Sequence, residues 1–321
     1  MFALRYNASA ARGQPLQTHE LHLKYSYLRY ICFADVLHLS EMQMLHGRLK
    51  LLPNFCRHHA AGVVRWLGAP RPRRWPCGPT APRLGAGPLP LAAAYGLPVP
   101  KAEIASFGQQ RVLVVVRFDR MVSNDGRRLL RLVQEDFCQA TGTSPLVKYE
   151  AEGGPGLGVL FNLLQQSVDA ERDLRTLMTS QLLFWMLRAP GGHAKNFSIH
   201  LLPGGRYRLT PLYDVMSAYP VMGDGPNHWS PRALKLAMAL VEKSRHYEAE
   251  RIQRRHFNST AKRFGYGETA EPLIQELIEC TPAVIDEVQR ALPAGFSQQV
   301  ADKVLGGLQS ATRALEGMPA A

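Results

Sequence analysis

Gly192-His193-Ala194-Lys195-Asn196-Phe197-Ser198-Ile199 carries the sharpest signal in the chain, together with Tyr207-Arg208-Leu209-Thr210-Pro211-Leu212-Tyr213-Asp214 beyond a Gly-Gly turn. Apolar residues in Asn196–His200 and Tyr207–Leu209, around Pro203-Gly204-Gly205, predict a β-hairpin. Such a hairpin can bring Asn196 and Asp214 to one mouth. An Asn and an Asp offer hard oxygen ligands of the kind Mg²⁺ takes. Phosphoryl transfer needs metal ions on the phosphates and a carboxylate to receive the acceptor's proton. The bland reading stands beside this one. Asn and Asp are ordinary turn residues, and one such pair is weak evidence by itself.

The surroundings lend support. Arg117-Phe118-Asp119-Arg120, Gln134-Glu135-Asp136, Lys148-Tyr149-Glu150 and Gly153-Gly154-Pro155-Gly156 precede the hairpin. Leu234-Lys235-Leu236-Ala237-Met238 and His256-Phe257 follow it. In this order the motifs resemble the HipA family of bacterial serine/threonine protein kinases, toxins of type II toxin–antitoxin pairs. The resemblance runs from roughly Leu91 to the C-terminus. It implies an α+β fold like a HipA-like kinase C-terminal lobe, mostly helical with small β-hairpins. It implies ATP and Mg²⁺ as cofactors. It also implies a helix-turn-helix antitoxin partner, operator DNA bound through the complex, and an aminoacyl-tRNA synthetase as protein substrate. Asn196 and Asp214 would be the metal ligands. His193, Lys195 and Tyr213 would line the nucleotide site, and Val116-Arg117-Phe118 would be the hinge that meets adenine. Lys262 and Arg263 fall where the family's toxin touches operator DNA; their plainer reading is a solvated helix face.

Three departures alter the functional expectation. The family's Asp-Gly-His-x-Lys-Asn-x-Ser motif begins with the catalytic base, and Gly191 stands there. Glycine cannot accept a proton, and general-base help is typically worth roughly 10²–10⁴ in rate. The hinge position that is usually Glu is Val116. The lobe expected before Leu91, with its phosphate-binding loop and strand lysine, is not legible in residues 1–90. No Gly-rich stretch followed by Lys stands there between two strands, and Lys24 and Lys50 lack a strand context. The expectation is a truncated, catalytically defective kinase. Two alternatives remain open: a non-enzymatic module binding antitoxin and operator DNA, or an active kinase completed by a separate N-lobe chain.

Composition agrees with two unlike parts. The chain has 321 residues, is 46% apolar and carries a formal charge of +12. Residues 1–90 hold 12 Lys/Arg against 3 Asp/Glu, so most of the excess lies there. From Ala69 to Pro100 the chain carries nine prolines, among them interspersed Arg71, Arg73 and Arg74. Proline removes a donor and restricts its neighbour, so this run holds neither helix nor central strand. Residues 1–90 read as an irregular segment: a disordered basic tail, a linker or an out-of-frame product rather than a nucleic-acid arm. The five cysteines are scattered with no CxxC pair, which argues against a zinc site. With neither a signal peptide nor an 18-residue apolar span legible, the expected compartment is the cytoplasm, with no membrane partner.

Beyond Leu91 the pattern predicts a helix ending at Tyr95, a buried strand over Arg111–Phe118 and a short helix over Val133–Ala140. Helices follow over Leu157–Gln166, Leu174–Arg188, Pro231–Val241, Ala249–Phe264, Pro272–Leu292 and Gln298–Leu315. The strand's partners are expected in the lobe that is not legible, leaving an exposed edge. Gly153–Gly158 could be mistaken for a phosphate loop; lacking a Lys-Ser/Thr pair, it reads as a turn opening a helix. His58-His59 with Cys56 reads as a chance cluster. Ser198, His193 and Asp214 lack a nucleophile elbow and are rejected as a hydrolase triad.

Overall fold

The computed structural model describes residues 31–32, 88–107, 110–225 and 228–320. Residues 1–30 and 33–87, including Lys24, Lys50, Cys56, His58 and His59, lie outside the described residues.

The first helix, α1, covers Pro88–Ala94, inside the proline run expected to hold none; Pro88 and Pro90 fall in its first turn, where no intrahelical amide bond is lost. It stops where Gly96 adopts φ 78°, a left-handed cap that favours glycine. Strands β2 (Ala102–Phe107) and β3 (Gln110–Val115) form an antiparallel hairpin. A short β1 (Ile31–Cys32) lies on the far side of β3, with Ile31 opposite Val114. The apolar strand therefore has partners on both sides, against the expected open edge, and it ends at Val115 rather than Phe118. Next come β4 (Arg120–Val122) and β5 (Leu129–Arg131), which pair with each other.

Strand β6 (Gln134–Asp136) runs directly into α2 (Phe137–Ala140). The sequence reading made this whole stretch a helix. Asp136 ends the strand by accepting the Gln139 amide, while the Gln139 side chain accepts the Asp136 amide, a reciprocal cap. Two helices follow, α3 (Leu157–Leu164) and α4 (Ala170–Met186). Strands β7 (Ser198–Leu202) and β8 (Arg206–Leu209) form the expected hairpin, with β6 antiparallel on β7.

The largest departure is at Pro231–Val241. A single 3₁₀ turn, Pro231–Ala233, leads into strand β9 (Lys235–Val241), paired with β10 (Arg245–Glu248). Leu236 to Leu240 are all buried, on both faces of the strand. A continuous apolar run of this length fits a doubly buried strand as well as a helix, so periodicity could not separate them. Helices α5 (Arg254–Arg263), α6 (Glu271–Ala291) and α7 (Gln298–Gly317) complete an α+β fold. Their buried faces join one core with Trp185, Phe161, Phe197 and Phe257. Inside it, Trp185 Nε1 donates to the Ala249 carbonyl at 2.8 Å. Tyr95 and Thr281 hydroxyls meet at 2.6 Å, and Thr312 donates to Thr281 at 3.2 Å, tying α1, α6 and α7 together. None of the helices described is long and apolar enough to cross a membrane.

Candidate functional site

The β7–β8 hairpin sets the site. Asn196 lies just before β7, Asp214 follows β8, and Asn196 Nδ2 donates to Asp214 Oδ2 at 2.9 Å. The same amide donates to the Gly191 carbonyl at 2.7 Å. Asp214 has φ 56°, a left-handed conformation that non-glycine residues rarely hold and that clusters at functional positions. Asp214 is exposed to solvent, yet protein packs around its carboxylate. That surrounding pushes its pKa up, against the Asn196 hydrogen bond and the Lys148 charge.

Gly191 lies beside this pair. A Cβ built on it would meet Met216 Cε at 3.4 Å, Asn196 Nδ2 at 3.7 Å and the Asp214 carbonyl at 3.9 Å. A side chain here would therefore project alongside both candidate ligands. His193 is turned elsewhere. Its ring is buried edge-on against Tyr149, centroids 5.0 Å apart, and its Nδ1 has no partner among the described residues. Burial first, then the Lys148 charge, holds its pKa down to about 4. Lys195 is committed: its ammonium contacts Asp136 Oδ2 at 2.7 Å. The Tyr213 hydroxyl donates to the Lys195 carbonyl at 2.9 Å and meets Ser198 Oγ at 2.5 Å. Ser198 and His193 thus face different partners, as expected from the rejected triad.

In the Val116–Phe118 segment, the Val116 amide donates to the Lys101 carbonyl at 2.8 Å. The Arg117 and Arg120 side chains both bind the buried Asp119 carboxylate. The Phe118 ring lies 5.7 Å from Tyr213 and the same distance from His200, so the segment and the hairpin share an aromatic wall. In the glycine-rich turn at 153–156, Gly156 packs against the protein's own Glu150 carboxyl. A Cβ on Gly156 would fall 2.2 Å from the Glu150 carboxyl carbon. Glu150 accepts the Ala239 amide at 2.7 Å and pairs with Arg245 at 3.2 Å. Lys262 and Arg263 sit in the last turn of α5, both exposed, with Lys262 bound to Glu268 at 2.7 Å.

The donor set at Asn196 and Asp214 fits a hard divalent cation. Each side chain carries an oxygen that can ligate, the two adjoin through the Asn196 Nδ2 hydrogen bond, and among the described residues no cationic side chain hydrogen-bonds the carboxylate.

The model for the HipA-like C-terminal domain matches residues 88–285. The chain belongs to the HipA-like C-terminal domain family. Among curated proteins it is similar to the Sinorhizobium fredii protein Y4mE, described as a kinase. Identity there is 41% over 133 residues, 40% of this chain and 31% of that protein. It is also similar to the serine/threonine-protein kinase toxin HipA of Shewanella oneidensis. Identity there is 35% over 142 residues, 40% of this chain and 32% of that one. The chain thus spans about a third of the length of these relatives. A solved complex of Shewanella oneidensis HipA, HipB and operator DNA shares the fold. Its TM-score is 0.61 at 22% identity, over 72% of this chain and 55% of that one.

Within this HipA-like domain, the sequence reading did not assign site roles to Asp136, Lys148, Tyr149 or Met216. Asp136 and Lys148-Tyr149 belong to motifs already singled out, so a signal existed; Met216 carried none. Glu242, His246 and His256 form a second cluster of potential ligands. The histidine rings stack at 3.8 Å with an interplanar angle of 11°. An ion must lie in the plane of each imidazole it binds, and near-parallel rings cannot share one. His256 Nδ1 also accepts the Gln253 amide at 3.2 Å, which leaves its proton on Nε2. The cluster as arranged is not a metal centre.

Proposed function

We propose that this chain is a HipA-like serine/threonine kinase toxin domain that keeps the metal and nucleotide end of its site and lacks the base for phosphoryl transfer. One observation carries the reading. A Cβ on Gly191, the residue that the resemblance aligns with the base, would lie 3.7 Å from Asn196 Nδ2 and 3.9 Å from the Asp214 carbonyl, which supports the reading. Mg²⁺ would be held by Asn196 and Asp214, and would neutralise charge on the phosphates of ATP. His193 and Tyr213 would flank the nucleotide, with Lys195 held in place by Asp136, and the Val116–Phe118 segment would face the base. His193 does not replace the missing carboxylate, because its ring packs on Tyr149 rather than beside Gly191.

The test uses the purified full chain. Binding of ADP should require Mg²⁺ and be abolished in Asp214→Asn. Transfer from labelled ATP to the chain itself or to a generic protein acceptor should be undetectable; transfer above background overturns the reading. Gly191→Asp alone is expected to leave transfer undetectable, because residues 1–90 contain no legible phosphate loop. Recovery of activity in that variant would show the base to be the sole lesion, and addition of a separately expressed N-lobe chain tests completion in trans.

A second reading has its own support. The structural neighbour was solved with HipB and operator DNA, and helices α5 to α7, the first of which carries Lys262 and Arg263, are formed here. In this reading the domain binds a helix-turn-helix antitoxin and operator DNA without catalysis. Replacing Arg263 with Ala should then weaken operator binding by the antitoxin complex and lower its salt slope by about one. An unchanged slope counts against it.

A further inference from the structure

Resting on the nucleotide reading of the cleft, we propose that Lys148 is a phosphate-binding residue of this site, supplying the cationic contact that the rest of the cleft withholds. The other cations near the cleft are already engaged by carboxylates. Lys195 is bound to Asp136, and Arg117 and Arg120 are bound to Asp119. Lys148 has no carboxylate partner among the described residues. Its ammonium stands 5.6 Å from the centre of the Tyr149 ring.

The backbone of Lys148 is anchored on both sides. Its carbonyl accepts the Ala194 amide at 3.3 Å, which ties it to the His193–Asn196 turn. Two residues on, the Glu150 carboxylate is fastened to β9 through the Ala239 amide at 2.7 Å. The intervening Tyr149 ring lies against His193. The side chain therefore extends from a fixed base over an aromatic face. The Lys148 carbonyl and the Tyr149 ring thus both border the His193–Asn196 turn, which carries the candidate metal ligand Asn196. The unpartnered, buried Nδ1 of His193 is a second polar atom in this wall. A lone ammonium near a carboxylate that suits a metal matches the phosphates of a nucleoside di- or triphosphate, where a metal and a lysine share the charge.

The experiment compares affinities of the full chain for ADP with Mg²⁺ and for adenosine, in wild type, Lys148→Met and Lys148→Arg. Unfolding midpoints check that each variant folds. Wild type should bind ADP more tightly than adenosine. Lys148→Met should weaken ADP roughly 10- to 100-fold, the worth of one charge-assisted contact, and leave adenosine unchanged. Lys148→Arg should keep most of the ADP affinity. The proposal is overturned if Lys148→Met binds ADP as wild type does, or if ADP and adenosine weaken in parallel, which marks a structural role. If wild type binds neither compound, the nucleotide reading itself fails and this residue's role falls with it.

Discussion

Gly191 and Gly192 stand side by side but answer to different constraints. A Cβ on Gly192 would lie 2.4 Å from the Phe184 ring, so the core excludes a side chain there. A Cβ on Gly191 first meets the flexible end of Met216 at 3.4 Å, and nothing in the structure requires glycine at that position. Urea unfolding should therefore separate them. Gly192→Ala is expected to cost about 1–3 kcal/mol through overpacking, and Gly191→Ala to stay within about 0.5 kcal/mol. Equal losses would show that the loop, rather than Phe184, sets the constraint. That glycine stands where the resemblance places a base is legible from sequence. The space left around Gly191 is not, because Met216 reaches it only through the folded turn after Asp214.

Among the elements, β9 holds the clearest lesson. Its apolar run fits a helix or a buried strand, and burial on both faces is decided by what packs on it. Helix α5 covers one side: Val241 N donates to Thr260 Oγ at 2.8 Å, and Thr260 is fully buried. Thr260→Val keeps the shape and strands the Val241 amide, which is expected to cost about 1–3 kcal/mol in denaturant unfolding. Thr260→Ser keeps the hydroxyl and should recover most of the loss that is due to the hydrogen bond. If Val and Ser behave alike, packing rather than that bond joins α5 to β9. The β7–β8 hairpin, by contrast, is legible from its Pro-Gly-Gly turn, because turn chemistry acts locally.

At the scale of the whole molecule, stability should depend on acid through buried histidines. Burial pushes His193 and His200 from 6.5 down to about 4. Between those values the unfolded chain takes up protons that the folded chain refuses. Stability is therefore full above about pH 6.5 and is lost as pH falls toward 4, by up to about 1.4 kcal/mol per pH unit per histidine. Glu150 and Asp173, whose carboxyls burial raises, act with the opposite sign. The useful measurement is thus the difference between wild type and His200→Gln across this window. The variant should show a shallower loss toward acid, and an identical slope would remove His200 from the account. The sequence by itself determined the family resemblance, the hairpin, the chain order of the candidate ligands and the glycine where the resemblance places a base. Those features are written in residue identity and local turn chemistry. Only the tertiary structure decided that β9 is a strand, that the Glu150 carboxyl packs against Gly156, and that Lys195 is paired while Lys148 has no carboxylate partner among the described residues. Each of these depends on contacts between residues distant along the chain, which no local pattern records.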